Sequence, residues 1–502
     1  MIEEGIKQVH QTKDSWIKQR YVLGFMGFLA VVNAYAMRSC LNVAITEMVV
    51  EQKSDSIKVD PYACPSLEME ITNKTSNPDN EFHWDERTQG YILSAFYWGY
   101  VITHLPGGLI AERFGGKQVL GLGILGTALL TLVTPMAARA GARWVIAVRV
   151  LEGLGEGTTF PALNALLAQW VPPMERGKMG SLVFAGNQIG TVLSQTLTGI
   201  LIRGGDWPIV FYLFGALGVI WYIVWCFTCY SDPASHPFVT QKEKDYLQET
   251  LGCLKRKENL PPIPWKAMIV SLPLLALIIG QVGHDWALFT ISTDGPKYMK
   301  SVMKFNSAQN GILISLPFLV MWFTALGTGW LCDYLLQRNY LTITAQRKVF
   351  TTIASVGPAG GMLAASYAGC DRVAVSVLMT VGFAFMGFFY SSLKVNTLDL
   401  SPNYAGTLMA FVNGVGAVSG IITPNLIGYL APNSTLLEWR MVFWISFAVI
   451  MATNIFYIIF ASAKVQPWND LSDRNKKEIM GLNSNQTTNH ADLGEKIKEN
   501  NV

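Results

Sequence analysis

The chain has 502 residues, of which 51% are hydrophobic and 15% are charged, and its formal net charge is +3. Soluble domains contain about 25% charged residues, so this composition is typical of an integral membrane protein and excludes an ordinary soluble domain. The small net charge gives no indication of nucleic-acid binding.

Apolar segments long enough to cross a bilayer recur along the chain, and they predict twelve transmembrane helices. The expected helices are 21–49, 86–110, 117–138, 143–170, 178–202, 208–230, 266–292, 309–332, 347–368, 373–396, 403–430 and 438–462. The predicted fold is therefore all-α, with two pseudo-symmetric bundles of six helices at 21–230 and 266–462. The charged segment 231–265 between them predicts a cytoplasmic linker with a short amphipathic helix.

Lys and Arg concentrate in the loops that a cytoplasmic N-terminus would place inside the cell. This orientation predicts cytoplasmic tails at 1–20 and 463–502, the second of them disordered, and an extracellular or luminal loop at 50–85. The sequons at Asn73 and Asn433 would then lie outside, where N-glycosylation takes place.

Two of the seven cysteines, Cys64 and Cys370, fall in loops expected on the outer side. Because that side is oxidising, a disulfide between them is a candidate. Four others lie in or beside apolar segments, and we interpret them as small core residues: Cys40, Cys226, Cys229 and Cys332. No metal-ligand spacing is found, and we expect no cofactor.

A short motif occurs once in each half of the chain. Gly108 is followed four residues later by Glu112, and Gly329 is followed four residues later by Asp333. We expect the glycines to let helices approach closely, and the acids to join nearby bases in charge clusters at the cytoplasmic helix ends. Two such related halves are typical of transporters whose halves rock against each other. The first copy of the motif continues with Arg113, Gly115 and Lys117.

Arg38 lies in the middle of the first apolar segment. A guanidinium cannot lose its charge at any reachable pH, and at the centre of a spanning helix it costs at least ~2.5–3.5 kcal/mol. We therefore expect Arg38 to face a watery central cavity, where it would attract negatively charged solutes.

The interior of the fourth predicted helix contains three ionisable residues within about two turns, Arg149, Glu152 and Glu156. Their spacings of three and four place them on one helix face. One interpretation is an internal ion-pair cluster that locks this helix. The other is a proton or cation relay beside the substrate cavity, because a carboxylate there can bind and release the coupled ion.

These motifs resemble the major facilitator superfamily. The segment GLIAERFGGK (108–117) resembles the superfamily's loop between helices 2 and 3. More narrowly, RVLEGLGEGTTFP (149–161) and SPNYAGTLMA (401–410) resemble the anion/cation symporter branch, which contains sialin, the vesicular glutamate transporters and the type I phosphate cotransporters. The strongest resemblance is to insect inorganic phosphate cotransporters, and it covers nearly the whole chain.

The resemblance implies that Arg38 binds the anion and that the helix 4 carboxylates Glu152 and Glu156, next to Arg149, couple its transport to an ion. It also implies that Tyr100 lines the cavity and can donate its hydroxyl to the substrate. Asn164 departs from the histidine of sialin and the glutamate transporters, which leaves room for sodium because amide oxygens and carboxylates are suitable ligands.

Two residues of the second half are further candidates for the substrate site. His284 stands where the vesicular glutamate transporters have arginine, and a histidine there could charge near neutral pH or could be a hydrogen-bonded core residue. Lys394 is either a second contact for the anion or a lysine that extends to the membrane surface. Asp285 is expected to point away from the cavity.

We therefore predict a secondary active transporter of a small anion, either inorganic phosphate or an organic anion, coupled to Na⁺ or H⁺. Two alternatives remain: a proton-coupled carrier of acidic sugars or amino acids in a lysosomal or vesicular membrane, and a non-transporting receptor or scaffold. An enzyme is not expected, and neither is an ATP-driven pump, because the GxxxxGK[ST] pattern is absent from the sequence. We expect a monomer in the plasma membrane, in contact with lipid and a small anionic solute and not with nucleic acid.

Overall fold

Helices make up almost all of the regular structure, which a computed structural model describes for residues 18–50, 64–65, 82–204, 206–252, 263–402 and 404–470. The described first half contains α1 (Gln19–Met48), α2 (Glu86–Phe114), α3 (Gly116–Ala140), α4 (Ala142–Glu156), α5 (Thr159–Trp170), α6 (Pro173–Phe184), α7 (Gly186–Gly204) and α8 (Pro208–Thr228). A linker helix, α9 (Gln241–Gly252), follows. The described second half contains α10 (Trp265–Ile269), α11 (Leu272–Lys297), α12 (Ser307–Gln337), α13 (Ile343–Tyr367), α14 (Arg372–Ala384), α15 (Leu393–Leu400), α16 (Ala405–Gly416), α17 (Ser419–Leu430) and α18 (Leu436–Phe460).

These helices form twelve spanning segments, because α4–α5, α6–α7, α14–α15 and α16–α17 each make one interrupted crossing. The prediction of an all-α fold with twelve membrane helices is thereby confirmed. In the described chain, nine segments are long and apolar enough to span by length and hydropathy alone. The other three are α2, α4–α5 and α6–α7, and the second of them carries the buried charges discussed below.

The fourth segment was predicted as one helix but is interrupted after Glu156. Pro161 has no N–H group to donate to the carbonyl four residues earlier, so the Gly157 carbonyl lacks its usual helical partner. His104 of α2 compensates, with its ring Nδ1 3.2 Å from the Gly157 oxygen. The interruption therefore follows from the sequence, and it gives a role to a histidine to which the sequence alone assigned none.

The amphipathic linker helix α9 packs against the first half. Leu247 is buried in the hydrophobic core of that half. Glu243 accepts hydrogen bonds from the backbone N–H groups of Gln19 and Arg20 at 3.0 and 3.3 Å. Arg20 also forms an ion pair with Glu175, at 3.1 Å. These contacts join α9 to the start of α1 and to the segment between α5 and α7.

The two halves meet closely at the end of the bundle where α2 begins, at Glu86, which we call the outer end. There α7 and α12 touch through Gly199 and Gly311. A Cβ atom added at Gly311 would lie 2.4 Å from the Gln195 carbonyl oxygen, and one added at Gly199 would lie 2.4 Å from the Ser307 oxygen. Only glycine therefore permits this contact in the observed structure.

Ion pairs and a disulfide also join the halves at the outer end. Lys297 lies 3.1 Å from Glu86 of the first half and 3.7 Å from Asp294 on its own helix. The structure links Cys64 of the first half to Cys370 of the second by a disulfide, with their Cα atoms 5.3 Å apart. The outer end is thus closed in this structure.

The glycine–acid motif behaves differently from what its sequence predicted. No described atom lies within 4 Å of a Cβ built at Gly108 or Gly329, so neither glycine mediates a close helix contact here. The side chains of Glu112 and Asp333 lie outside the described part of the chain, so the expected charge clusters are not tested.

The remaining residues of the motif lie at the junction of α2 and α3. Gly115, with a φ of 87°, connects the two helices in a conformation that favours glycine. Arg113 is exposed. Lys117 donates to the Cys226 carbonyl at 3.1 Å and lies 4.2 Å from the centre of the Tyr230 ring. The lysine therefore ties α3 to the end of α8.

The two candidate glycosylation sites differ in what the structure describes. Asn73 lies outside the described residues. Asn433 lies just before α18, and its side-chain amide donates to Glu438 at 2.9 Å. Thr435 of the same sequon caps α18, and its hydroxyl accepts a hydrogen bond from the Glu438 backbone. Both polar groups of this sequon therefore help to begin a helix.

Candidate functional site

Arg38 is buried near the middle of α1 and is surrounded by aromatic rings. The centres of five rings lie 4.7–5.7 Å from its guanidinium carbon: Tyr35, Phe96, Tyr97, Tyr100 and Phe289. Only 7% of the residue is exposed. The prediction that Arg38 faces open water is therefore wrong for this structure, because aromatic faces, which attract cations, replace the water.

Phe289 belongs to the second half, whereas the other four rings belong to the first. Tyr97 also contacts Phe289 directly, with ring centres 4.6 Å apart. The guanidinium thus lies at the interface between the halves, where an alternating-access transporter places its substrate. Tyr100, predicted to line the site, is part of this ring cluster and stacks on His104 at 4.9 Å.

Glu156 is the acidic partner of Arg38, but the contact is loose. The Arg38 Nη1 and Glu156 Oε1 atoms are 3.5 Å apart. Both Glu156 carboxylate oxygens are buried and have no hydrogen-bond donor among the described residues. A buried carboxylate normally needs such donors, so Glu156 is poorly satisfied in this structure.

Glu152 and Arg149, in contrast, form a tight pair. Arg149 Nη1 donates to Glu152 Oε2 at 2.8 Å. The other Glu152 oxygen accepts from Thr131 at 3.2 Å and from Thr134 at 3.4 Å. Arg149 also donates to the Arg38 carbonyl at 3.2 Å. These bonds tie α4 to α3 and α1, so the interpretation as an internal lock fits Glu152, while a relay fits Glu156 better.

His284 and Lys394 meet in the second half around Phe389. The His284 and Phe389 rings stack almost in parallel, with centres 3.5 Å apart, and His284 Nδ1 is buried without a partner among the described residues. Lys394 Nζ donates to Asn413 at 2.6 Å. The lysine is therefore held inside the bundle and does not extend to the membrane surface.

Asp285 was expected to point away from the site, and this expectation is wrong. Its side chain is buried, and both of its oxygens accept from the Gln281 amide at 3.0 and 2.9 Å. It interacts electrostatically with Lys394 in the second half and with Arg38 in the first. The sequence signal that could have revealed it is Gln281, which precedes Asp285 by one helical turn and offers a polar partner on the same face.

Asn164 makes no described hydrogen bond or ion pair with the charged cluster. It is exposed on α5, and no hydrogen bond to a described residue joins its side chain to Arg38, Glu152 or Glu156. The structure therefore brings together two groups of predicted residues, one around Arg38 and one around Lys394, with Asp285 interacting with both.

Twelve helical crossings in two halves, with charged side chains buried where the halves meet, define a multi-pass membrane transporter. The sequence profile of the Major Facilitator Superfamily matches residues 27–424, and the chain belongs to that superfamily. Its relatives fall in the anion/cation symporter branch. They are transporters and not enzymes.

Two curated relatives and one solved structure illustrate the similarity. A Drosophila melanogaster protein named "Putative inorganic phosphate cotransporter" is 38% identical over 470 residues, which cover 92% of this chain and 88% of that protein. Human sialin is 37% identical over 449 residues, which cover 89% and 90%. A bacterial homologue of the human lysosomal transporter Spinster, solved in an inward-facing and occupied conformation, has a TM-score of 0.63 at 14% identity, covering 89% of this chain and 98% of that one. This last similarity supports the fold alone.

Proposed function

We propose that this protein transports a small anion, inorganic phosphate or an organic acid, that Arg38 binds the anion, and that Glu156 carries the coupled H⁺ or Na⁺. The observation that carries the proposal is the loose pairing of Arg38 with Glu156 at the interface between the halves. Among the described acidic groups, Arg38 has only this 3.5 Å contact with Glu156, so its N–H groups can be offered to an anionic oxygen. Guanidinium groups bind carboxylates and phosphates through such paired hydrogen bonds.

Competition for Arg38 links the anion to the coupled ion. An anion that binds Arg38 displaces Glu156, which is then a buried carboxylate without a cationic partner. Such a group is unfavourable unless it takes up a proton or a metal cation. Binding of the anion and of the coupled ion therefore favour each other, as symport requires.

The residues around Lys394 are the proposed second contact for the anion. Lys394 and His284 lie in the second half and Arg38 in the first, so an anion that touches both groups would draw the halves together. Asn164 is proposed only as a polar lining residue, because no described hydrogen bond or ion pair joins it to the charged cluster. We further propose that the protein acts as a monomer at the plasma membrane. The second candidate is a proton-coupled carrier of acidic sugars or amino acids in a lysosomal or vesicular membrane, and the similarity to sialin and to a vesicular glutamate transporter supports keeping it.

Uptake into sealed vesicles that contain the purified protein tests this function. Labelled phosphate, sialic acid and glutamate are compared, with Na⁺ and pH varied separately. We expect uptake of one of these anions, and we expect Arg38→Ala to lower it about 10- to 100-fold, since a charge-assisted hydrogen bond contributes about 1.5–3 kcal/mol. Arg38→Lys should recover only part of the loss, because lysine keeps the charge but not the planar fork. Undiminished uptake in Arg38→Ala would show that the anion binds elsewhere.

Fractionation of membranes from the native cells tests the proposed location. Recovery with plasma-membrane markers is expected, and recovery with lysosomal markers would favour the second candidate. A single protein per detergent micelle, measured by light scattering, is expected for a monomer.

A further inference from the structure

Asp285 is a buried carboxylate for which the proposed transport cycle has so far no use. Only 8% of the residue is exposed. No cationic nitrogen of a described residue lies within ion-pair distance of it, and the two hydrogen bonds it accepts come from one neutral amide, that of Gln281. Glu152, also buried, differs because it pairs with Arg149 at 2.8 Å. A buried negative charge with one amide partner is poorly compensated and is ready to accept a positive charge.

Gln281 supplies a second, independent observation. Its Nε2 atom faces Asp285, while its Oε1 atom is buried and has no hydrogen-bond donor among the described residues. If Asp285 takes up a proton, its O–H group needs an acceptor. A half-turn of the Gln281 amide would bring Oε1 to that hydrogen. The one amide can therefore serve both forms of Asp285, because Nε2 donates to the carboxylate and Oε1 can accept from the acid.

The space around Asp285 favours a proton over a metal cation. On the α16 side, a Cβ atom added at Gly416 would lie 2.2 Å from Asp285 Oδ2, so the helix backbone packs directly against the carboxylate. A sodium ion needs several oxygen ligands at once, whereas Gln281 is the only side chain among the described residues that hydrogen-bonds to Asp285, and it would add one oxygen. A proton needs a single oxygen.

We propose that Asp285, assisted by Gln281, is a second proton-binding site, located in the second half of the transporter and loaded when the anion binds. The proton comes from water and forms an O–H bond on one Asp285 oxygen, and it returns to water when the anion leaves. This inference rests on the proposed function, since the anion at Arg38 is what loads the site.

The charged groups that face Asp285 explain the coupling. Arg38 on α1 and Lys394 on α15 are the cations that act on it. Among the described residues, three phenols also interact with Asp285: Tyr35 on α1, Tyr100 on α2 and Tyr390 beside α15. His284 precedes it on the same helix. An anion that binds Arg38 and Lys394 cancels their positive field. Asp285 then loses the charges that hold it ionised, and it takes up a proton.

Measuring how many protons accompany each anion tests the proposal. Purified wild-type protein and Asp285→Asn are placed in vesicles at zero membrane potential, with a pH gradient of one unit. The gradient of labelled phosphate, sialic acid or glutamate that stops net flux is then determined for the anion that the wild type transports. Each coupled proton changes this balance point about tenfold per pH unit, so the variant should differ from the wild type by about tenfold. Asp371→Asn is the matched control, because Asp371 is an exposed cap of α14, and it should leave the balance point unchanged.

A transporting Asp285→Asn variant with the wild-type balance point would overturn the proposal while leaving the proposed function intact. A wild type that transports the anion without any proton would do the same. A wild type that transports none of the three anions would instead contradict the proposed function.

A binding measurement covers the case in which Asp285→Asn does not transport. Proton uptake is followed with a pH indicator when the anion is added to detergent-purified protein. The variant should take up about one proton fewer per anion than the wild type, and equal uptake would refute the proposal. Gln281→Leu keeps the carboxylate but removes its partner. In that variant the pH at which proton uptake is half-complete should shift by about one unit, because the carboxylate loses one charge-assisted hydrogen bond. An unchanged pH of half-complete uptake would also count against the proposal.

Discussion

Glu152 and Glu156 share one face of α4, but their different partners predict different effects of the same substitution. Glu152→Gln removes the charge that Arg149 Nη1 meets at 2.8 Å and leaves a buried guanidinium uncompensated. Breaking such a buried pair costs about 3–5 kcal/mol. Glu156→Gln breaks a 3.5 Å contact without a hydrogen bond, and Arg38 keeps five ring faces, each contributing about 0.5–2 kcal/mol. We expect Glu156→Gln to lower the free energy of unfolding by less than half as much as Glu152→Gln does.

Thermal unfolding of the detergent-purified proteins measures this difference, with the fluorescence of the 15 tryptophans as the signal. In a chain of this size, 1 kcal/mol corresponds to about 1–2 °C, so the midpoint of Glu152→Gln should fall by about 5 °C. Glu156→Gln should unfold close to the wild type and should instead lose the dependence of uptake on the coupled ion. If Glu156→Gln lowers the unfolding midpoint as much as Glu152→Gln does, the two carboxylates do not differ in how tightly they are paired.

Two further predictions concern the outer end. Cleavage at a protease site inserted within 253–262 should give two fragments that stay together on a non-reducing gel and separate after reduction. The reason is that the disulfide between Cys64 and Cys370 joins the halves. Separation of the fragments without reductant would contradict this link. Gly311→Ala should lower uptake about fivefold or more at unchanged expression, because its Cβ would overlap the Gln195 carbonyl and such overpacking costs about 1–3 kcal/mol. Gly126→Ala is the control, since its Cβ would meet no described atom within 4 Å, and equal uptake by the two variants would exclude a role for the glycine contact.

The sequence predicted the number and order of the membrane segments because hydropathy and length are local properties. The length of the apolar segment suggested one continuous helix, so the interruption at Gly157 was missed, although Pro161 indicates it. The extension of α11 beyond residue 292 was missed for a related reason: Asp294 and Lys297 look like a loop until the pairing of Lys297 with both Glu86 and Asp294 is known. Pairing between distant residues is not visible in a local pattern.

The same limit applies to the site. The spacing of Arg149, Glu152 and Glu156 placed them on one face, but it could not separate a satisfied acid from an unsatisfied one. That difference comes from Thr131 and Thr134 on the neighbouring helix. Arg38 was correctly expected inside the bundle, whereas its aromatic surroundings depend on rings from three helices. The orientation of Asp285 depends on Gln281 and on the close approach of α16. Its position directly after His284 in the sequence indicates neither contact.

The rings around Arg38 have a consequence for the empty carrier. In the proposed symport cycle the protein must reset after it has released the anion, and during that step the guanidinium has only its 3.5 Å contact with Glu156 as a charged partner. Without favourable surroundings, a buried guanidinium would strongly disfavour movement of the two halves past each other at an interface without water. The negative faces of the tyrosines and phenylalanines solvate the cation in place of water, and they do so without carrying a net charge of their own. These rings therefore let the cation stay at the interface between the halves without water or a substitute ion beside it.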